Sequence, residues 1–460
     1  MKISKSKTFK DEYCATIVQI GNIESIEGKD RIVKTIVNGL SIVIGKADFK
    51  TGDYAVYCAN ETVINPTYLK QNSMYDIPSL NADTTKRGYI NKAGRLRLIK
   101  LGGVPSYGML LPVTSIARFV NESIEDVTDF LASHVGEDFD EINKERFIQV
   151  YVPPVKEVLV RTSKGKKAEK KLKRFKTIID NTFAFHYDTE GLQKHMTDIK
   201  PDDEVYISVK IHGSSFIAAN ILTNLPTPWY KRLWRKYIQH LSPYMQDYDL
   251  VYASRHVIKN EYINPKQKPG GYYSDDIWGY WAQKIKGLIP KDYEVYGEIV
   301  GYGPTGIPIQ TDYDYGCLPN TENPCKLMIY RITHKGKELD IPEVIRFGNQ
   351  LKEQLGDCIM EFPLMYVGTL KALYPEVPVD NHWHENVLEK LKVEKRFLME
   401  ENEPLCNNKV PREGFVLRKA NDSIAEAWKL KCFNFLSKES KRMDKGEVDS
   451  EMLEGYESDI

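Results

Sequence analysis

The stretch "VYISVKIHGSSFIAANIL", residues 205–222, decides how the second half of the chain folds. Val205, Ile207 and Val209 alternate with Tyr206 and Ser208, while Phe216, Ile217, Ala218 and Ala219 form a short apolar run. Both patterns belong to strands with buried faces. Between them stand Lys210, His212 and the turn glycine Gly213. A lysine among apolar strands is near the surface, paired, or placed to react. Local evidence alone reads it as a surface residue at a hairpin, and the rest of the chain has to decide.

Five later stretches bear on Lys210: "ASRH" with Ser254 and Arg255, "EVYGEIVGYG" with Glu298, "KLMIYRI" with Tyr330, "REGFVLR" with Glu413, and "AWKLKCF" with Lys429 and Lys431. Singly, each is a common short match. In this order along one segment they resemble the covalent nucleotidyltransferase superfamily of polynucleotide ligases and capping enzymes. "KIHG" is similar to motif I in its RNA ligase 2-like form, "YGEIVG" to motif III, "IYRI" to motif IIIa, "EGFVLR" to motif IV and "WKLK" to motif V. The resemblance covers about residues 180–436. "GRLRLIKLGGVPSYGMLLPV" and "FAFHYDTEGLQK" are similar to the subfamily with an OB domain ahead of the nucleotidyltransferase domain, RNA ligase family five. Only 29 residues follow Lys431, too few for the C-terminal OB barrel of DNA ligases and capping enzymes.

The resemblance implies an ATP-dependent RNA ligase that joins 3′-hydroxyl and 5′-phosphate ends through a lysyl-AMP and an AppRNA intermediate. Lys210 would be the nucleophile. Lys429 and Lys431 would hold the α-phosphate and favour the free amine of Lys210. Arg255 would meet the ribose or the RNA end, and Glu298 and Glu413 the ribose or a hydrated Mg²⁺, for which Mn²⁺ can substitute. Tyr330 would stack on adenine, although Tyr330-Arg331 departs from the family's aromatic-aspartate pair. His212 stands where DNA ligases have aspartate, and its implied part is to orient pyrophosphate or the nicked RNA. The implied partner is RNA, a nicked duplex or an RNA–DNA hybrid, with no obligate protein partner. Two alternatives remain: a GTP-using capping-type nucleotidyltransferase, and a nucleic-acid-binding protein whose ligase domain is inactive.

The bulk numbers agree with a globular chain: 460 residues, 42% hydrophobic, 28% charged and a net charge of zero. Any nucleic-acid footprint must therefore be local. Seven scattered cysteines without C-x-x-C spacing, no leader-like start and no long apolar run predict a reduced, cytoplasmic protein with no membrane partner. The fold expected is α+β. It comprises an N-terminal OB-type β-barrel (1–150), a basic linker (151–180), an ATP-grasp-like adenylyltransferase domain of antiparallel sheets with flanking helices (181–440), and an acidic tail (441–460). Eight of the thirteen residues at 164–176 are Lys or Arg, which fits a solvated linker or a phosphate contact. The insert "PTPWYKRLWRKYIQHLSPYMQDYD" mixes Trp229, Tyr230, Trp234 and Tyr237 with Lys231, Arg232, Arg235 and Lys236. It reads equally as a base-stacking surface or as an amphipathic helix with its tryptophans packed inward.

Overall fold

The computed structural model describes residues 1–153, 178–179, 181–187, 189–225, 227–260, 276–420 and 426–446. The basic run at 164–176 and the tail from 447 onward lie outside the described residues.

The N-terminal part is built on strands Ala15–Gln19, Tyr54–Ala59 and Gly108–Pro112, side by side in an antiparallel sheet that Asp138–Phe139 completes. Side chains of a strand alternate between faces, and both faces are covered here. Ala15, Ile17, Val56 and Cys58 enter one core, which the helices Val113–Val120 and Ile124–Ser133 close through Ile116, Val127 and Leu131. Val18, Ala55 and Tyr57 enter a second core against the antiparallel pair Ile32–Val37 and Leu40–Gly45. Ser123 caps its helix, its Oγ accepting from the Asp126 N–H at 3.0 Å.

In the second part, the strands Glu204–Lys210 and Ser214–Leu225 do not form a hairpin. Glu204–Lys210 lies in a five-stranded sheet between Gly414–Lys419 and Leu364–Thr369, with Ala427–Lys431 and Glu190–Gly191 beyond Gly414–Lys419. Ser214–Leu225 lies in a six-stranded sheet between Met245–Ala253 and Tyr293–Gly301, followed by Cys325–His334. Ile211, His212 and Gly213 thus carry the chain from one sheet to the other, and Lys210 ends the first. Each sheet packs one face on a large core, and the six-stranded sheet carries two smaller clusters on its other face, Ile217 with Ala253 and Tyr296, and Ala219 with Ile221 and Val251. Val205, Ile207, Val209, Phe415, Leu417 and Leu430 pack with Trp383 and Leu388. Phe216, Val295, Ile299 and Leu327 pack on the helices Ile277–Ile285 and Ile341–Leu355 through Trp278, Trp281 and Val344.

The two parts touch through charged side chains. The buried Arg95 pairs with Glu61 and reaches Asp444 Oδ1 at 2.7 Å, on the helix Phe433–Asp444. Lys194 Nζ meets Asp138 Oδ2 at 3.2 Å. The insert forms the helix Trp229–Tyr237, and none of its residues is buried. Inward packing of its tryptophans is therefore excluded.

Candidate active site

Alternation in the five-stranded sheet turns Ser208, Lys210, Val416, Arg418, Lys429 and Lys431 away from the core and toward a cavity of about 500 Å³. Gly414 pairs with Lys210 on one side and with Lys431 on the other. It adopts φ +145°, and a Cβ there would strike the Leu430 carbonyl, so only glycine fits between the two lysine strands. This places Glu413 beneath both ammonium groups. Glu413 is buried, with Oε1 2.9 Å from Lys210 Nζ and 3.4 Å from Lys431 Nζ, and Oε2 3.6 Å from His212 Nδ1.

Burial pushes the Glu413 carboxyl upward, but Lys210, Lys431 and His212 outweigh it and hold the group at about 2, against an ordinary value of 4.5. A carboxylate depressed in the folded state stabilises fully above its unfolded value, and that contribution fades as pH falls toward the folded one. Glu413→Gln is therefore expected to lower the unfolding free energy by about 3 kcal/mol at neutral pH. Its difference from wild type should shrink as pH drops from 4.5 toward 2. Urea unfolding across that range checks this, and a gap that stays constant would refute it.

Lys429 sits one pleat along from Lys431. Its Nζ pairs with Glu12 Oε1 of the N-terminal part at 2.8 Å. Burial lowers its pKa; Glu12 opposes the shift, and Lys431 and Lys210 add to it. On the six-stranded side, Glu298 stands opposite Ser215, and its Oε1 accepts the Gly213 N–H at 3.0 Å. A Cβ on Gly213 would run into the Ile299 carbonyl, so this glycine permits close approach of two backbones. The His212 N–H donates to Tyr315 Oη at 2.8 Å. The buried His212 ring meets Tyr313 and Phe435 edge-on at 4.8 and 5.0 Å, and among the described residues Nε2 has no hydrogen-bond partner.

Lys210, His212, Arg255, Glu298, Tyr330, Glu413, Lys429 and Lys431, which the sequence singled out, all line this one cavity. Ser254, quoted beside Arg255, does not; it is buried, its N–H bonded to the Val257 carbonyl. Other lining residues were not singled out as site residues, among them Glu12, His186, Tyr187, Arg331 and Arg418. Arg331 lies over the rings of Tyr187 and Tyr296 at 4.5 and 4.1 Å, its Nε on Glu338 Oε1 at 2.7 Å. Arg418 had a readable signal, since period-two alternation from Gly414 puts it on the cavity face. Glu12 had none. Chemically, the cavity offers a cluster of cations for phosphate, a buried carboxylate to order them, and the ring of Tyr330 packed on His186. Among the described residues, no group of three or more His, Cys, Asp or Glu side chains is placed to hold a metal ion, and no helix is long and apolar enough to cross a membrane.

A family model described as RNA ligase matches residues 203–433, and one described as an OB-fold domain matches residues 14–113. No curated protein sequence matches the chain. Solved structures of Naegleria gruberi RNA ligase are similar to it. An apo variant aligns at TM-score 0.52 with 18% identity, covering 93% of this chain and 98% of that one. A variant with ATP and Mn gives 0.52 and 18%, covering 92% and 98%. A third structure, with PPi, gives 0.50 and 18%, covering 93% and 99%. At that identity the likeness concerns the fold, an OB-fold part followed by a sheet-based ligase part. With half of its length matched by the family model and the motif residues gathered around one cavity, the chain belongs to the RNA ligase family.

Proposed function

We propose that the protein seals 3′-hydroxyl and 5′-phosphate ends of RNA, at nicks in duplexes, by adenylylating itself with ATP at Lys210. The observation that carries this reading is the position of Lys210: it ends one sheet, faces the cavity, and has its ammonium group on a buried carboxylate beside Lys429 and Lys431. The ATP, AMP and PPi in the related Naegleria structures support the same ligand class.

Lys210 must lose a proton before it attacks the α-phosphorus. Glu413, held at about 2, is too weak a base to take it, so its part is to aim the amine. The Nζ–P bond forms as the bond to the β-phosphate oxygen breaks, and pyrophosphate leaves. Lys429 and Lys431 stabilise the charge gathering on the α-phosphate. His212, packed behind Glu413, positions that carboxylate. Arg255 meets the ribose or the RNA end, and Tyr330 offers a ring face to the base. AMP then passes to the RNA 5′-phosphate, giving AppRNA, and a 3′-hydroxyl displaces it.

A divalent cation fits Glu298 better than Glu413. Both Glu413 oxygens face cations, whereas Mg²⁺ or Mn²⁺ commonly takes one or two protein carboxylates and completes its shell with water and substrate phosphates. Such an ion would offset phosphate charge. Residues 1–150 form the OB-fold domain and residues 181–440 the adenylylation domain. The N-terminal domain and the basic run at 164–176 hold the RNA, and the seven unpaired cysteines suit a reducing cytoplasm.

Incubation with α-labelled ATP or GTP and Mg²⁺, followed by denaturation, tests the reading. Label from ATP should remain on the chain. Label from GTP alone would point to capping chemistry, and no label from either would point to an inactive binding protein.

A further inference from the structure

The helix Trp229–Tyr237 has no part in the chemistry above. It sits at the far end of the antiparallel pair Ser214–Leu225 and Met245–Ala253, where Leu225 pairs with Met245. Eleven residue steps along the strand separate Leu225 from Ser214 at the cavity end, about 36 Å at ordinary strand rise. The helix is locally well held. Thr227 Oγ1 accepts the Met245 N–H at 2.9 Å, and Arg235 Nε donates to the Ser242 carbonyl at 2.9 Å, fixing the turn that follows.

At 100° per residue, Trp229, Leu233, Trp234, Tyr237 and Ile238 fall within one half of the helix, with Tyr230 among them. Lys231, Arg232, Arg235 and Lys236 fall in the other half. The apolar half is uncovered: Trp229 is 67% exposed, Trp234 58% and Ile238 60%, and Leu241 just beyond is also exposed. No acidic residue occurs from 227 to 246. A charge-segregated helix with tryptophan and aliphatic residues on one side and only cations on the other is suited to lying in the plane of an anionic bilayer surface.

We propose that this helix docks the protein on anionic lipid surfaces, its apolar half entering the headgroup boundary and its four cations meeting lipid phosphates. Single-stranded RNA suits it less well. A stacking platform sets cations beside its rings to hold the phosphates of the strand whose bases are stacked, whereas here the cations fall in the other half of the helix, with Lys236 reaching one ring of the apolar half, that of Tyr237 at 5.2 Å. Leu233, Ile238 and Leu241 offer no stacking face.

The tryptophans provide a clean readout, because Trp278, Trp281, Trp383 and Trp428 are buried and only Trp229 and Trp234 are exposed. The full chain is mixed with vesicles of phosphatidylcholine alone or of phosphatidylcholine with phosphatidylserine, and then sedimented. Expected are co-sedimentation with the phosphatidylserine vesicles, weakening with salt, a blue shift of the emission, and protection from acrylamide quenching. The double variant Trp229→Ala/Trp234→Ala should bind at least about tenfold more weakly while still forming the lysyl-adenylate. Failure to sediment, equal binding by the double variant, or binding that ignores lipid charge would each overturn the proposal. A blue shift produced by duplex or single-stranded RNA and not by vesicles would assign the helix to RNA instead. A vesicle-free dimer that buries the two tryptophans would assign it to a second copy of the chain.

Discussion

Lys210→Ala is expected to take no label from α-labelled ATP and to lose RNA sealing by at least about 10³-fold, while remaining folded. The first half of that expectation follows from the bond being made: without Nζ there is no atom to carry AMP, and the first two steps cannot occur. The second half follows from packing. The Lys210 side chain faces the cavity, a quarter exposed, and the strand is anchored by Val205, Ile207 and Val209 on its other face. Its loss takes one cation from Glu413, yet Lys431 remains 3.4 Å away. Sealing of RNA that already carries a 5′-adenylate separates chemistry from folding, because Lys210 has no covalent part in the third step. The variant should retain that reaction. Label persisting on Lys210→Ala would transfer the nucleophile's role, and Lys429, the cavity lysine that burial holds below the usual lysine range, would be next to test.

What was legible in the sequence was whatever local pattern or residue order could carry. Alternation over 205–209 and the apolar run at 216–219 gave two strands, and both exist. Their relation to each other was not legible, because a strand–turn–strand pattern reads the same whether the strands pair or enter different sheets. The deciding contacts come from residues some 200 positions downstream, where Gly414 pairs with Lys210. The same limit explains Glu12. Its partnership with Lys429 joins the two ends of the chain, and no spacing announces it. Glu413 was visible as a motif residue, but its burial beneath two ammonium groups was not. The insert failed for another reason. Mean composition describes Trp229 and Trp234 equally well facing in or out, and only their exposure in the folded chain decides.

Arg412→Ala should be the most destabilising single change beside the site, costing about 3–5 kcal/mol. Arg412 is buried and grips Glu403 with two bonds, Nε to Oε2 at 2.8 Å and Nη2 to Oε1 at 3.2 Å, while Nη1 donates to the Phe397 carbonyl at 3.1 Å. Glu403 is itself 1% exposed and accepts the Leu405 N–H at the start of the turn Pro404–Cys406. Removing the guanidinium leaves that carboxylate buried with no cation opposite it, and it is this orphaned charge that sets the cost. The size of the effect therefore depends on Glu403 remaining. Arg412→Leu combined with Glu403→Leu removes both charges, and should recover most of the stability lost by Arg412→Ala, since a buried pair replaced by apolar groups is often neutral or better. Urea unfolding of the single and double variants measures the coupling. Arg412 also immediately precedes Glu413, so activity provides a second reading. If Arg412 serves only to fix the backbone under Glu413, lysyl-adenylate formation well below the unfolding transition should return with stability in the double variant. If stability returns and adenylylation does not, the guanidinium acts on the carboxylate directly, through its charge.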